Sequence, residues 1–292
     1  MAGLVTQKPR FLVVGGDGML GRHLAHHLQT RGDVLQTTRR PGATSPNRVL
    51  LDLASDLTAC PIPRGVTAAF LCAGISSLAR CSREREQSEL INVTQTIALA
   101  SRLVEHGVHV IYPSSSRVFD GTKAFCAPAD PTAPVTVYGR QKVAVETALA
   151  SLEGDVTILR ITKVIDRRVP LIAEWERDLR ASRHIHPFCD RQYAPVSLQF
   201  VGDVCARVAM KRRAGILHVS SDGEISYEAT ARQLARLIGC NERLIEPVSA
   251  ADRLRDRDDI PAHSVLDTVC LESELGLRTP RTLDSVAEGL AA

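Results

Sequence analysis

The chain has 292 residues, 44% hydrophobic and 24% charged, which is the balance of a soluble globular protein able to bury a sizeable core. Its formal net charge of +3 is too small to argue for a nucleic-acid partner, and its many arginines are scattered rather than clustered. No run approaches the roughly 18 apolar residues of a membrane span, and the N-terminus lacks the apolar stretch and cleavage site of a signal peptide. A cytoplasmic protein without a membrane partner is expected. Eight cysteines with no C-x-x-C spacing read as buried free thiols in a reducing compartment.

In chain order, "RFLVVGG" (10–16) is an apolar run ending in glycines and predicts a buried parallel strand. "MLGRHLAHHLQTRG" follows as a helix, with leucines at helical spacing and Gly32 as its stop. Further strands are expected over 33–40, 65–74, 108–116 and 155–161, with helices over 88–107 and about 138–152. Strand alternates with helix throughout, so the expected fold is α/β, a Rossmann-type doubly wound parallel sheet. After about residue 165 the regularity loosens. "PLIAEWERDLRAS" reads as helix, "YAPVSLQF" as extended, "VGDVCARVAMKRR" as helix, "GILHVSS" as strand, "SYEATARQLARLIG" as helix, and the tail as two short helices. The expected division is 1–165 for an NADP-binding Rossmann domain. Residues 166–292 would form a smaller C-terminal α/β substrate lobe, interleaved with the last sheet elements.

"GGDGMLG" sets Gly15, Gly18 and Gly21 three apart, after a strand and at the opening of a helix. That is the context a dinucleotide site requires: glycines let the backbone approach a pyrophosphate, whose charge sits at the helix N-terminus. The amides of Met19 and Leu20 are the expected donors. The second strand ends "TTRR", and Arg39 and Arg40, with no carboxylate beside them, suit the 2′-phosphate of NADP(H) over NAD(H). Asp52 and Leu53 are expected to receive the adenine, and Cys72, Ala73 and Gly74, closing the strand over 65–74, to line the cofactor. The fourth strand runs into "YPSSSRVFDGT", whose hydroxyls lie at the carboxyl end of the sheet, where ligands of such folds bind. Twenty-three residues after Ser115 comes Tyr138, and four later Lys142, one helical turn on.

That order resembles the extended short-chain dehydrogenase/reductases, and within them the dTDP-4-dehydrorhamnose reductase branch. The residues that carry the likeness are "GGDGMLG", "INVTQTIALA", "SSSRVFDGTK", "PVTVYGRQKVAVE", "ILRITKVID" and "SVLDTVCLESELGL". The resemblance implies that Ser115 hydrogen-bonds the substrate oxygen and that Tyr138 is the acid/base. It implies that Lys142 binds the nicotinamide ribose and lowers the tyrosine's pKa. The implied reaction is NADPH-dependent reduction of a keto group on a nucleotide-linked deoxysugar.

Departures bear on the substrate. The reductases usually have Thr-Asp-Tyr where this chain has Ser115-Ser116-Arg117, which makes Ser116 and Arg117 substrate-facing positions and argues against a dehydratase. Lys163 replaces a tryptophan common in that segment and could meet a phosphate or a neighbouring acid. Arg191, or Arg183, could clamp the pyrophosphate of a nucleotide sugar. His23 and His27 lie four apart, but with no third ligand nearby they read as a helix face rather than a metal site. Trp175 reads as core. The implied partner is a nucleotide-sugar small molecule, and a homodimer is left open. The alternatives are an NAD-dependent sugar-nucleotide epimerase and a non-catalytic NADP-binding regulatory subunit.

Overall fold

A computed structural model describes residues 8–55, 57, 61–253 and 261–292. In chain order its elements are β1 (Arg10–Val14), α1 (Met19–Leu28), β2 (Asp33–Thr38), β3 (Arg48–Leu50), β4 (Ala68–Leu71), α2 (Leu78–Arg83), α3 (Arg85–Glu89), α4 (Gln95–Glu105) and β5 (His109–Ser115). Then come α5 (Val137–Ala150), β6 (Val156–Ile161), β7 (Lys163–Ile165), α6 (Pro170–Arg180), β8 (Gln192–Tyr193), β9 (Pro195–Ser197) and α7 (Leu198–Lys211). The chain ends with β10 (Gly215–Val219), β11 (Ile225–Ser226), α8 (Tyr227–Ile238), α9 (Ala250–Arg253) and α10 (Thr282–Ala291).

Seven strands form one sheet in the order β10-β6-β5-β4-β1-β2-β3. The β1–β2, β1–β4, β2–β3 and β4–β5 pairs are all parallel. The fold is therefore the doubly wound Rossmann type. Its strand order reverses between β1 and β4, which opens a crevice at their carboxyl ends. The central strands β1 (RFLVV) and β4 (AAFL) are apolar and buried almost throughout, as strands covered on both faces are. Leu12, Val14, Ala69, Leu71, Val110 and Ile158 pack with Leu99 and Leu103 of α4 and with Val145 and Leu149 of α5.

Two compact units form. The first comprises the chain up to Ser114 with Thr136–Leu159 and Gly202–Ile216; the second comprises Ser115–Val135, Arg160–Val201 and Leu217–Ala292. The chain thus crosses between the units several times. Within the second unit β7 pairs parallel with β9, β8 pairs antiparallel with β11, and a separate core gathers Ile165, Ile172, Trp175, Leu179, Tyr193 and Leu234. Trp175 is core, as its sequence context suggested.

Several boundaries differ from the sequence reading. The strand over 33–40 stops at Thr38, which leaves Arg39 and Arg40 just past its end. The strand over 65–74 keeps only 68–71, and 72–75 becomes a loop. The helix over 88–107 is interrupted by a π-turn over Leu90–Thr94. "YAPVSLQF" is extended only to Ser197, whose Oγ accepts the Phe200 amide at 3.1 Å and so starts α7. Of the two tail helices, the first is a π-turn, Leu271–Leu275. The described cysteines are free thiols, Cys81, Cys126 and Cys205 among them buried; Cys60 lies outside the described residues. No helix among the described residues is long and apolar enough to cross a membrane.

Two histidines give the fold a pH dependence. His109 is fully buried, with Nε2 2.7 Å from Thr157 Oγ1, and burial, reinforced by Arg212, pushes it down to about 4. Burial and then Arg160 do the same to His218, also to about 4. Between about 6.5, the unfolded value, and these folded values, only the unfolded chain takes up the protons. Stability present above about pH 6.5 is therefore lost as pH falls toward 4, by roughly 3 kcal/mol per histidine. The urea midpoint should drop between pH 7 and pH 5, and the drop should shrink in His109→Asn; equal midpoints at the two pH values would contradict this.

Candidate active site

The glycine loop joins β1 to α1. Thr37, buried at the end of β2, holds it by accepting the Gly15 amide on Oγ1 at 2.9 Å, while its carbonyl accepts the Gly16 amide at 3.0 Å. Gly15 has φ +89°, and a Cβ there would stand 2.6 Å from the Ala73 nitrogen. A Cβ on Gly21 would fall 2.2 Å from the Gly15 carbonyl oxygen. The protein's own backbone thus requires both glycines. Gly18 is different: it is exposed, and a Cβ there would make only an ordinary 3.4 Å contact. Packing does not explain that glycine, whereas a pyrophosphate lying against the loop would. No side chain caps α1 at Gly18 and no acid stands in its first turn, so the amides at this helix start, Met19 and Leu20 among them, lack a side-chain cap. The residues present therefore fit a dinucleotide.

Past β2, Arg39 and Arg40 are exposed. A carboxylate does stand near them, supplied by the glycine loop. Asp17 accepts Thr38 Oγ1 at 2.8 Å, is gripped by Arg48 of β3, and lies 3.3 Å from Arg40 Nη2. Burial alone would raise the Asp17 carboxyl, but the Thr38 hydrogen bond and the charges of Arg40 and Arg48 outweigh it and hold the group below its ordinary value. Asp17 and Arg48 were not singled out in the sequence. Arg48 sits on a three-residue strand with no periodic signal, and Asp17 reads as one of the variable positions between glycines.

Asp52 closes its own turn, its Oδ1 accepting the Ala54 amide at 3.0 Å, and the Leu53 side chain is buried in the first core. Cys72, Ala73 and Gly74 follow β4, where burial pushes the Cys72 thiol up to about 12. Asn92, inside the π-turn, clamps this loop from two sides. Its Oδ1 accepts the Ile75 amide at 2.7 Å, and its Nδ2 donates to the Ile75 carbonyl at 2.9 Å and to Gln141 Oε1 at 2.9 Å. Gln141 in turn donates to Ser88 Oγ at 2.8 Å. One buried chain of hydrogen bonds therefore ties the loop after β4 to the helix carrying Tyr138 and Lys142. "INVTQT" carries Asn92 within the family likeness, and that was its only sequence signal.

Helix α5 starts at Thr136, whose Oγ1 accepts the Gly139 amide at 3.0 Å. This cap puts Tyr138 in the first turn and Lys142 one turn on, both half-buried, with Lys142 Nζ 5.6 Å from the Tyr138 ring centre. Lys142 Nζ also donates to the Pro113 carbonyl at 2.8 Å and lies 4.3 Å over the Tyr112 ring. Burial pulls the Lys142 ammonium down to about 8, with the Glu146 carboxylate opposing that shift. Glu146, one helical turn beyond Lys142, is buried and accepts a hydrogen bond from Ser114 Oγ.

Ser115 is the last residue of β5 and the first of the second unit. It is half-buried, and its Oγ accepts the Arg117 amide at 3.2 Å. Ser116 and Arg117 occupy the short 3-10 turn that follows, half-buried. Lys163 Nζ donates to Tyr227 OH at 2.9 Å and lies over the Tyr227 and Tyr193 rings at 4.6 and 5.3 Å. Arg183 is held by Asp178 at 2.6 Å, whereas Arg191 has a buried Nε with no hydrogen-bond partner among the described residues. His23 and His27 stack 5.6 Å apart and His27 Nε2 lies 3.1 Å from Asp203; among the described residues no cluster of three or more His, Cys, Asp or Glu is arranged to hold a metal.

Residues 9–292 match the model of the RmlD substrate binding domain family. A dTDP-4-dehydrorhamnose reductase of Sinorhizobium fredii is 28% identical over 292 residues, 94% of this chain and 95% of that one. A crystal structure of dTDP-4-dehydrorhamnose reductase from Bacillus anthracis in complex with NADP superposes with TM-score 0.84 at 19% identity, covering 98% of each chain. A second structure, MoeE5 in complex with UDP-glucose and NAD, superposes with TM-score 0.78 at 21% identity over 97% of each chain. At these identities the two structures establish the fold alone. With its sheet, its glycine loop and a match running almost from end to end, the chain belongs to the RmlD substrate binding domain family, an oxidoreductase family of the extended short-chain dehydrogenase/reductase class.

Proposed function

We propose that the protein is an NADPH-dependent reductase of a keto group on a nucleotide-linked deoxysugar. The observation that carries the reading is Lys142, a half-buried ammonium fixed by the Pro113 carbonyl beside the Tyr138 ring on one helix face. Glycine loop, Met19 and Leu20 amides, Asp52, Leu53 and the 72–74 loop would hold the dinucleotide. When bound, NADPH supplies the hydride that reduces the carbonyl carbon. Tyr138 gives its phenolic proton to the carbonyl oxygen, and the Lys142 charge stabilises the phenolate left behind. Ser115 orients the carbonyl by hydrogen bonding, with Ser116, Arg117 and Arg191 on the rest of the substrate.

The NADP preference rests on charge. Arg39, Arg40 and Arg48 against the single carboxylate of Asp17 leave a net +2 where a 2′-phosphate would arrive. Replacing Arg39 and Arg40 together with alanine should weaken NADPH roughly 10- to 100-fold, about 1.4–2.7 kcal/mol, and leave NADH within a few-fold. Fluorescence titration checks this; equal losses for both cofactors would remove the arginines from the 2′-phosphate. The relatives named as reductases support a 4-keto sugar, and NADPH oxidation on addition of dTDP-4-dehydrorhamnose tests the reaction. Protein that purifies with stoichiometric NAD and shows no net oxidation would favour the epimerase reading instead.

A further inference from the structure

We infer that Asp17 is a built-in rival of the cofactor's 2′-phosphate, and that the Asp17–Arg40–Arg48 cluster sets how sharply the protein separates NADP(H) from NAD(H). The inference rests on the dinucleotide reading above and adds to it a specificity residue inside the glycine loop. In dinucleotide folds, a carboxylate at the end of the second strand accepts the ribose 2′-hydroxyl, and a guanidinium there takes the 2′-phosphate. This chain has both groups, from different elements. The acid comes from the loop after β1, and the arginines come from the end of β2 and from β3.

The three groups are already joined. Arg48 and Arg40 both engage the same oxygen, Asp17 Oδ1, while Oδ2 accepts the Thr38 hydroxyl. The Arg48 side chain is 30% exposed and its buried Nε has no hydrogen-bond partner among the described residues, so its fork is not saturated. Arg40 is mostly exposed and can turn from Asp17 without unpacking anything. A 2′-phosphate brings close to two negative charges to arginines that already hold one carboxylate. It must draw them from Asp17 and tolerate that carboxylate nearby, an unfavourable like-charge term. A plain 2′-hydroxyl meets no such repulsion and can donate to Asp17 in place of Thr38. Asp17 therefore works against NADP(H) and for NAD(H), and Arg48 works the other way.

The test is fluorescence titration of NADPH and NADH into the parent protein, Asp17→Asn and Arg48→Met, with circular dichroism to check folding. Asp17→Asn should raise the ratio of the NADH to the NADPH dissociation constant about tenfold, by tightening NADPH and weakening NADH. Arg48→Met should lower that ratio by a similar factor. A ratio that stays constant or falls in folded Asp17→Asn overturns the inference, as does loss of both cofactors, which would make Asp17 a positioning residue for the loop. Should Asp17→Asn fail to fold, Arg48→Met decides: a fall supports the inference and no change overturns it. A parent protein that prefers NADH would refute the NADP preference proposed above, yet a rise in the ratio on Asp17→Asn would still uphold the role of Asp17.

Discussion

Replacing Tyr138 with phenylalanine is expected to lower kcat roughly 10²–10⁴-fold, the range a positioned general acid supplies, and to leave NADPH affinity unchanged. The substitution removes one oxygen from a half-buried ring in the first turn of α5. Neither the Thr136 cap nor the Gln141–Asn92 tie depends on that oxygen. Helix, glycine loop and the 72–74 loop should therefore stand as before. Steady-state kinetics and a cofactor titration on the same preparation separate chemistry from binding. If the phenylalanine variant turned over at the parent rate, Tyr138 would not be the acid.

Lys142→Met should be nearly as damaging, on the order of 10²-fold in kcat, with weaker NADPH binding as well. At 5.6 Å from the ring centre, and with an effective dielectric of about 20, the ammonium attracts a phenolate by about 3 kcal/mol, equivalent to roughly 10² in rate. The pH dependence carries its own signature. Because burial, opposed by Glu146, brings the folded Lys142 to about 8, the charge is present below that pH and lost above it. Parent activity should therefore decline as pH rises through about 8, and the methionine variant should lack that limb. The stability effect has the opposite sense to a usual ion pair. Holding this lysine charged costs the fold below pH 8, and the cost fades as pH rises toward the unfolded value of about 10.4. The variant should melt at or above the parent temperature at pH 7, which separates lost catalysis from lost structure. A lower melting temperature and an unaltered pH profile would contradict this account of Lys142.

Much of the sheet was legible because its strands are buried on both faces and read as continuous apolar runs. "RFLVVGG" and "DVTILRI" are the clearest. Helix α5 was legible from its motif rather than its periodicity. Gln141 and Glu146 are buried beside Val145 and Leu149, so no clean apolar stripe exists to be read. Short elements escaped notice. β3, β7 and β11 have two or three residues each, too few for any period to show, and the π-turn at Asn92 is invisible to a pattern that counts 3.6 residues per turn. The site divides in the same way. Glycines and the Tyr-x-x-x-Lys pair announce themselves by spacing along one segment. Asp17 with Arg48, Asn92 with Gln141, and Ser114 with Glu146 are partners 31, 49 and 32 residues apart, brought together only by tertiary packing.

The proposed reaction is hydride transfer from NADPH to a keto carbon with Tyr138 as acid. Its most direct test is to incubate the protein with [4-²H]NADPH of each stereochemistry and a panel of nucleotide-linked 4-keto sugars, dTDP-4-dehydrorhamnose among them. The sugar product is then analysed for deuterium by mass spectrometry. One carbon-bound deuterium per NADPH consumed is expected, from one of the two labelled forms, and it should be lost in Tyr138→Phe. Product free of deuterium, or a sugar epimer formed without net NADPH oxidation, would contradict it.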